Sequence, residues 1–236
     1  MSGPALSFDG AATLAGARLF DRVAFALTPG RWTVILGPSG VGKSTILRLI
    51  AGLGSPVVFT GAVAPAGTGR VAYMAQSDCL FPWASVAENV VTGARLRGQA
   101  PDRARAADVI ARVGLSAHAA KRPHELSGGQ RQRAALARTL MEDREVILLD
   151  EPFSALDAKT RAEMQDLAAE LLAGRAVLLI THDPGEAARL GHDIFVMTAD
   201  GLTSFDAPPA PAPRAVNDPE ALRLQGALHA HLLRAA

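Results

Sequence analysis

Two patterns of hydrophobic and polar residues divide the chain. In the first thirty residues, short apolar stretches at 5–8 and 23–27 are separated by Gly and Asp turns, a pattern typical of antiparallel strands. Later apolar runs are continuous and short, as expected for strands buried on both faces; they lie at 33–36, 146–149, 177–180 and 194–197. The pattern therefore predicts two kinds of β structure in one chain.

Helical periodicity separates these buried runs. Residues 44–53 place Ile46, Leu49, Ile50 and Leu53 on one helical face, and a helix is predicted at about 158–172. The stretch 82–140 is mostly helical in pattern, with breaks at 98–101 and 122–123. Strands that alternate with helices predict an α/β fold with a mostly parallel sheet, an antiparallel β subdomain and an inserted helical subdomain at about 80–140.

The last thirty residues have a different character. Four prolines in 207–213 predict an extended linker, since proline lacks a backbone donor and biases its neighbour away from helix. Asp218 suits an N-cap and Pro219 the first helical position, and leucines recur every fourth residue beyond them. We therefore expect a main domain at 1–205, a linker at 206–217 and a final helix at 218–236.

Composition narrows the class of protein. The chain has 236 residues, 24 Lys and Arg against 23 Asp and Glu, and one cysteine, Cys79. These values exclude a disordered chain and an intramolecular disulfide, and they argue against a dedicated nucleic-acid binder. The longest uncharged stretch, 49–69, contains five Gly and two Pro and is not expected to span a membrane. No secretory signal is visible, so we expect an intracellular protein.

A glycine-rich loop between a predicted strand and a predicted helix matches the phosphate-binding loop; it comprises Gly37, Pro38, Ser39, Gly40, Val41, Gly42, Lys43, Ser44 and Thr45. Glycines let backbone N–H groups point inward at phosphates, and the helix adds its positive end. In this interpretation Lys43 reaches the β- and γ-phosphates and Ser44 coordinates Mg²⁺. The alternative is a glycine-rich turn without a ligand.

Two acids follow the buried run 146–149. Asp150 and Glu151 would lie at the carboxyl edge of the sheet, where Asp150 would hold the metal, through its waters, and Glu151 would activate the attacking water as general base. The alternative is that these acids cap a helix at the end of a core strand.

A third motif adds to the phosphate-binding loop and the acidic pair. It consists of Ser127, Gly128, Gly129 and Gln130. Ser127 stands 23 residues before Asp150, and the set resembles the signature of ATP-binding cassette ATPases, which have a P-loop NTPase (RecA-like) fold. The resemblance covers nearly the whole chain. It continues, in the family's order, through Gln76, Asp157 and His182.

This resemblance implies ATP and Mg²⁺ as ligands and a homodimer as the working unit. Residues 127–130 precede a predicted helix and would bind the γ-phosphate held by the other subunit, with Asp157 at the interface. His182 would contact the γ-phosphate. Gln76 would touch Mg²⁺ and the attacking water and relay nucleotide state to a partner. One departure concerns the adenine base: Leu14 stands where the family usually has an aromatic residue. Either Phe8 or Phe20 serves instead, or adenine is held loosely, so base selectivity is less secure than phosphate binding.

ATPases of this family drive membrane transport or act on nucleic acid, and the sequence of residues 79–90 indicates transport. This segment resembles the loop of bacterial importer ATPases that receives a permease helix, although Phe81, Pro82 and Trp83 could also be ordinary core and turn residues. The Leu-Phe-Pro-Trp form at 80–83 is most similar to importers of taurine, alkanesulfonates, nitrate and the pyrimidine precursor of thiamine.

The resemblance implies permease and solute-binding partners, no nucleic acid, and a location at the cytoplasmic face of the inner membrane. The alternative is a soluble ATPase that acts on nucleic acid. Against it, the chain has neither long coiled-coil nor cysteine-rich insertions.

Overall fold

The computed structural model describes residues 5–65, 70–198 and 201–235. The chain forms two compact units, which are described separately below. The first unit comprises Met1–Tyr73, Arg144–Glu151 and Ala173–Ala236, and the second comprises Met74–Asp143 and Pro152–Leu172. Each unit is therefore assembled from segments that are distant in sequence.

The strands in the described parts of the chain are β1 (Leu6–Leu14), β2 (Ala17–Leu27), β3 (Trp32–Leu36), β4 (Val57–Ala64), β5 (Val71–Met74), β6 (Val146–Asp150), β7 (Ala176–Thr181), β8 (Asp193–Thr198) and β9 (Gly201–Phe205). The α-helices there are α1 (Lys43–Ile50), α2 (Val86–Val90), α3 (Thr92–Leu96), α4 (Arg103–Arg112), α5 (Gly128–Leu140), α6 (Ala158–Leu171), α7 (Pro184–Leu190) and α8 (Pro219–Ala235). Short 3-10 helices lie at Ser116–His118 and Pro123–Glu125.

The strands form two sheets. A three-stranded antiparallel sheet has the order β2-β1-β4, with Phe8 opposite Phe25 on β2 and Val63 on β4. A six-stranded sheet has the order β5-β6-β7-β3-β8-β9, in which β3 pairs in parallel with β7 and β8, and β6 pairs in parallel with β7. The predicted α/β class and mostly parallel sheet are confirmed. The antiparallel edge strand β9, which no prediction included, pairs with β8.

The parallel strands are buried because helices cover them. Every residue of β3, β6 and β7 is buried, which explains why their sequences are continuous apolar runs. The core of the first unit joins this sheet to α1 and to the antiparallel sheet through Ile35, Leu47 and Phe8. The carboxyl ends of β3, β6 and β7 meet at one edge of the sheet, because parallel neighbours run in the same direction.

The second unit is helical. Buried side chains of α2, α4 and α5, such as Val90, Ile110 and Leu136, form its interior. The helices break where the sequence predicted: α3 ends at Leu96 before α4 begins at Arg103. Ser85 caps α2 through a capping box with Glu88 and so defines where this helix begins.

The proline-rich segment beyond β9 contains neither helix nor strand but is held in place. Arg214 is only 3% exposed, and its guanidinium donates to the carbonyls of Ala188, Gly191 and Pro208. The following helix, α8, packs against α7. Among the described residues no helix is long and apolar enough to cross a membrane.

Candidate functional site

The phosphate-loop residues connect β3 to α1, with Lys43 as the first residue of the helix. Gly42 has φ 99°, and a Cβ there would lie 2.7 Å from the Phe20 ring. A Cβ on Gly37 would collide with the carbonyl oxygen of Met197. Both positions therefore require glycine, and no side chain caps the amino terminus of α1. The uncapped N–H groups and the positive end of the helix dipole form an anion-binding surface.

Lys43 is the buried cation of this loop. Its side chain is 6% exposed, and Nζ donates to the carbonyl oxygens of Gly37 at 2.7 Å and Pro38 at 2.6 Å. Burial lowers the pKa of the Lys43 ammonium, while the nearby charges of Glu151 and Asp150 act in the opposite direction. The ammonium is thus placed in the loop before any ligand arrives, where an added phosphate would offset its loss of hydration.

Asp150 ends β6 beside Ser44, as the sequence predicted for two metal ligands. Ser44 Oγ donates to Asp150 Oδ1 at 3.1 Å, and Tyr73 Oη lies 3.4 Å from Oδ2. Asp150 is 2% exposed, and burial raises the pKa of its carboxyl, with Ser44 opposing and Glu151 reinforcing the shift. A buried carboxylate and a hydroxyl are hard oxygen ligands that fit Mg²⁺.

A metal site here would need other ligands as well. Within the described ranges, no three His, Cys, Asp or Glu side chains gather to hold a metal ion. Two protein oxygens are enough for Mg²⁺ when phosphate oxygens and water supply the remaining positions. The donor set of Ser44 and Asp150 therefore fits a metal that arrives with a phosphate ligand.

Glu151 follows Asp150 on an unusual turn. Its backbone has φ 49°, in the left-handed region, and its N–H donates to the Ile180 carbonyl of β7 at 2.9 Å. His182, directly after β7, places Nδ1 3.0 Å from Glu151 Oε2. The Glu151 side chain is 16% exposed and that of His182 is 59% exposed. The alternative of a helix cap is wrong, because the next helix, α6, begins seven residues later and is capped by Asp157.

The predicted signature residues form the amino terminus of α5 in the second unit. Ser127 is the N-cap: its Oγ accepts from the N–H of Gln130 at 3.2 Å, and Gln130 Oε1 accepts from the N–H of Ser127 at 2.9 Å. Ser127 and Gly128 are exposed. The amino terminus of α5 is therefore exposed to solvent and is a second helix end, after that of α1, suited to bind an anion.

Gln76 and Asp157 also lie in the second unit. Gln76 is exposed in the bend after β5. Asp157 accepts from the N–H of Thr160 at 3.0 Å, and this hydrogen bond lowers the pKa of its carboxyl. Gly129 of the signature lies close to Ala155, because a Cβ there would be 3.2 Å from the Ala155 carbonyl. The structure thus brings the signature next to the loop that leads to Asp157.

Of the two alternatives for the adenine base, the burial of Phe8 and Phe20 argues against stacking on either ring. Phe8 is 1% exposed and Phe20 is 2% exposed, because both side chains pack in the core of the first unit. Leu14 is 41% exposed at the end of β1 and remains available. Sequence reasoning also missed Tyr73, which contacts Asp150, and His118, which contacts Gln130. Neither residue belongs to a spaced motif, so no sequence signal marked them.

Asp150→Asn is expected to raise the melting temperature of the nucleotide-free protein at neutral pH by about 2–4 °C. The raised pKa of Asp150 means that the folded state binds this proton more tightly than the unfolded chain. The ionised carboxylate therefore costs stability above the raised pKa, and the cost disappears as pH falls through it. Thermal unfolding at neutral and acidic pH, with exposed Asp108→Asn as control, would test this. A lower melting temperature for Asp150→Asn at neutral pH would contradict it.

The fold and the site define the class of protein. A parallel sheet with a phosphate loop after β3 and two acids after β6 is the arrangement of a P-loop nucleoside triphosphatase. The family model of the ABC transporter matches residues 20–154. The chain belongs to this family and is an ATP hydrolase.

Similar proteins agree with this assignment. The chain is 43% identical over 217 residues, 89% of its length and 90% of the relative's, to an uncharacterised ABC transporter ATP-binding protein of Haemophilus influenzae. It is 43% identical to an aliphatic sulfonates import ATP-binding protein of Paracoccus denitrificans, over 89% of the chain and 84% of the relative. It is 44% identical to an Fe(3+) ions import ATP-binding protein of Rhodococcus jostii, of which it spans 62%.

A solved structure also resembles the chain. It is the dimeric post-hydrolysis state of an ATP-binding cassette bound to ADP and Pi, matched with a TM-score of 0.76 and 27% identity over 89% of this chain and 99% of that one.

Proposed function

We propose that the chain is the ATP-hydrolysing subunit of a bacterial importer and that two copies close on two ATP molecules to drive uptake of a small solute. The observation that carries this proposal is the pairing of Glu151 with His182 at the sheet edge that also holds Lys43 and Asp150. A general base, a phosphate-binding cation and a metal ligand at one edge are the groups that ATP hydrolysis requires.

Each of these side chains has a separate task in the proposed reaction. Lys43 and the N–H groups of α1 bind the β- and γ-phosphates and stabilise the charge that develops during transfer. Glu151 orients the attacking water and accepts its proton. His182, whose Nδ1 lies 3.0 Å from Glu151 Oε2, contacts the γ-phosphate and helps to hold the attacking water in line. Bound Mg²⁺, held by Ser44 and Asp150, would neutralise phosphate charge.

The dimer is proposed because each chain has two phosphate-binding ends. The amino terminus of α1 would bind ATP in its own subunit, and the amino terminus of α5, at Ser127–Gln130, would bind the γ-phosphate held by the partner copy. Gly129 lets this helix end pack against the loop leading to Asp157, because a Cβ there would lie 3.2 Å from the Ala155 carbonyl oxygen. An isologous dimer then contains two equivalent sites. The dimeric ATP-binding cassette structure to which the chain is similar supports this arrangement.

A stacked aromatic pair in the second unit, of which Trp83 is the exposed member, supports a permease as partner. The rings of Phe81 and Trp83 stack with centroids 5.1 Å apart and planes inclined by 12°. Trp83 is 69% exposed and lies in a turn, so its indole is accessible to a partner. A large exposed aromatic surface on a rigid turn suits an apolar partner segment. We place the protein at the cytoplasmic face of the membrane through this contact.

The proposed solute is a small anion or heterocycle of the sulfonate, nitrate or thiamine-precursor type. Support comes from the Leu-Phe-Pro-Trp sequence at 80–83 and from the sulfonate-import name of a 43% identical relative. Solute selection itself would reside in the permease and a solute-binding protein, because ATP is the ligand of this subunit.

ATPase stimulation tests the task of the subunit. A cognate permease, reconstituted in vesicles, is expected to raise the ATPase rate of this chain, whereas DNA or RNA is not. Trp83→Ala should lose this stimulation and keep the basal rate, because Trp83 lies outside the hydrolytic residues. Leu233→Ala, which removes an equally exposed apolar side chain from α8, is the matched control. Stimulation by nucleic acid and not by the permease would overturn the transport assignment.

A further inference from the structure

We infer that His118 is a positioning residue for the signature end of α5 and that it acts as the neutral tautomer protonated at Nδ1. This inference rests on the proposed function, because it assigns a role to the second phosphate-binding end. The observation behind it is the contact between His118 Nε2, in the 3-10 helix Ser116–His118, and Gln130 Nε2 at 3.1 Å.

The capping box decides which atom donates in this contact. Gln130 Oε1 already accepts from the backbone N–H of Ser127 at 2.9 Å, so the NH₂ group of the carboxamide must be the end that faces His118. A carboxamide nitrogen only donates hydrogen bonds. His118 Nε2 must therefore be an unprotonated acceptor, and the ring proton lies on Nδ1. A proton on Nε2 would place two donors face to face.

The other ring nitrogen shows that His118 is more than a packing residue. His118 Nδ1 is buried, and no hydrogen-bond partner for it is found in the described part of the chain. A buried donor without a partner destabilises the folded state, and an apolar side chain of similar shape would avoid this cost. A histidine at this position thus costs stability, and the polar contact that its ring makes in the described part of the chain is to Gln130.

The backbone around His118 holds the acceptor in a fixed place. Two carbonyls of the turn accept from the first N–H groups of α2: Ala119 from Ala87, and Lys121 from Val86, both at 2.9 Å. The N–H of His118 donates to the Leu115 carbonyl at 2.8 Å. Since α2 follows directly after Trp83 and Ser85, the turn that carries His118 is hydrogen-bonded to the segment proposed to meet the permease.

The consequence concerns the orientation of Ser127. With an acceptor at His118, the Gln130 carboxamide is held with Oε1 on the Ser127 N–H. Without this acceptor, the carboxamide can rotate, and the cap on the signature end is weakened. A less ordered signature end should reduce catalysis across the dimer, whereas ATP binding by the phosphate loop of one subunit should not change.

Substitution of His118 tests the positioning role. His118→Phe keeps the ring shape without the acceptor and is expected to lower kcat about five-fold, the factor that the loss of one neutral hydrogen bond produces. The Kd for ATP of the isolated subunit should stay the same. His118→Gln, whose Oε1 can accept from Gln130, should restore most of the rate. The control is His124→Phe, an exposed histidine in the following 3-10 helix.

A fall in kcat, ATP affinity and melting temperature together in His118→Phe, without rescue by His118→Gln, would mean that His118 only supports the fold. An unchanged kcat would also overturn the inference. These outcomes are distinct from failure of the proposed function, which would appear as normal turnover in a Glu151→Gln variant whatever the result at His118.

Nitrogen-15 NMR of the histidine side chains gives a readout that needs no activity. In the wild-type protein, the His118 signal, assigned by its loss in His118→Phe, should show a protonated Nδ1 and an unprotonated Nε2. Gln130→Met removes the donor and should shift His118 away from this tautomer. An Nε2-protonated His118 in the wild-type protein would overturn the inference.

Discussion

Glu151→Gln should lower the steady-state ATPase rate by at least about 100-fold, within the range that a positioned general base contributes. The glutamine side chain keeps the shape of Glu151 but cannot accept the proton of the attacking water. ATP binding should persist, because Lys43 and the phosphate loop are unchanged, and the variant should accumulate as an ATP-bound dimer. Single-turnover hydrolysis and size-exclusion chromatography with and without Mg-ATP measure the two effects.

The matched control is Glu220→Gln, which removes a 50% exposed carboxylate from α8. This variant should retain the wild-type rate. Normal turnover in a clean preparation of Glu151→Gln would remove Glu151 from the role of general base, and the pairing with His182 would then need another explanation.

Lys43→Ala is expected to weaken ATP binding about 10- to 150-fold, the change produced by loss of one charge-assisted hydrogen bond of roughly 1.5–3 kcal/mol. Lys43 is buried, with Nζ on the carbonyl oxygens of Gly37 and Pro38, so its ammonium is already positioned within the loop. Calorimetric titration with ATP on the wild type and the variant measures the change in Kd.

Lys159→Ala is the control for Lys43→Ala, because Lys159 is an exposed lysine on α6. The Lys159→Ala variant should bind ATP with the same affinity as the wild type. If Lys43→Ala bound ATP as tightly as the wild type, the loop after β3 would not be the phosphate site.

Much of the first unit could be predicted because its signals are local. A strand buried on both faces must be apolar throughout, so β3, β6 and β7 were visible as continuous runs. A phosphate loop must contain glycine where a side chain would collide, and Gly42 meets that requirement against Phe20. The edge strand β9 escaped prediction because its short sequence, Gly-Leu-Thr-Ser-Phe, is half-buried and lacks a strong period.

Contacts between residues distant in sequence escaped prediction for a different reason. Tyr73 lies 77 residues from Asp150 and His118 lies 12 residues from Gln130, and neither pair has a characteristic spacing. The burial of Phe8 and Phe20 likewise depends on how the antiparallel sheet packs on the core, which periodicity in a short strand does not specify.

By itself, the sequence determined the class of fold and the order of the nucleotide motifs, because backbone geometry and phosphate chemistry restrict these positions locally. The tertiary structure alone decided which groups touch. It brought Glu151 into contact with His182 and Ser44 into hydrogen-bond distance of Asp150. It also brought the His118 ring next to the Gln130 carboxamide, the contact from which we infer the position of the ring proton. Such pairings depend on the packing of separate elements, where a hydrogen bond requires placement within a fraction of an ångström.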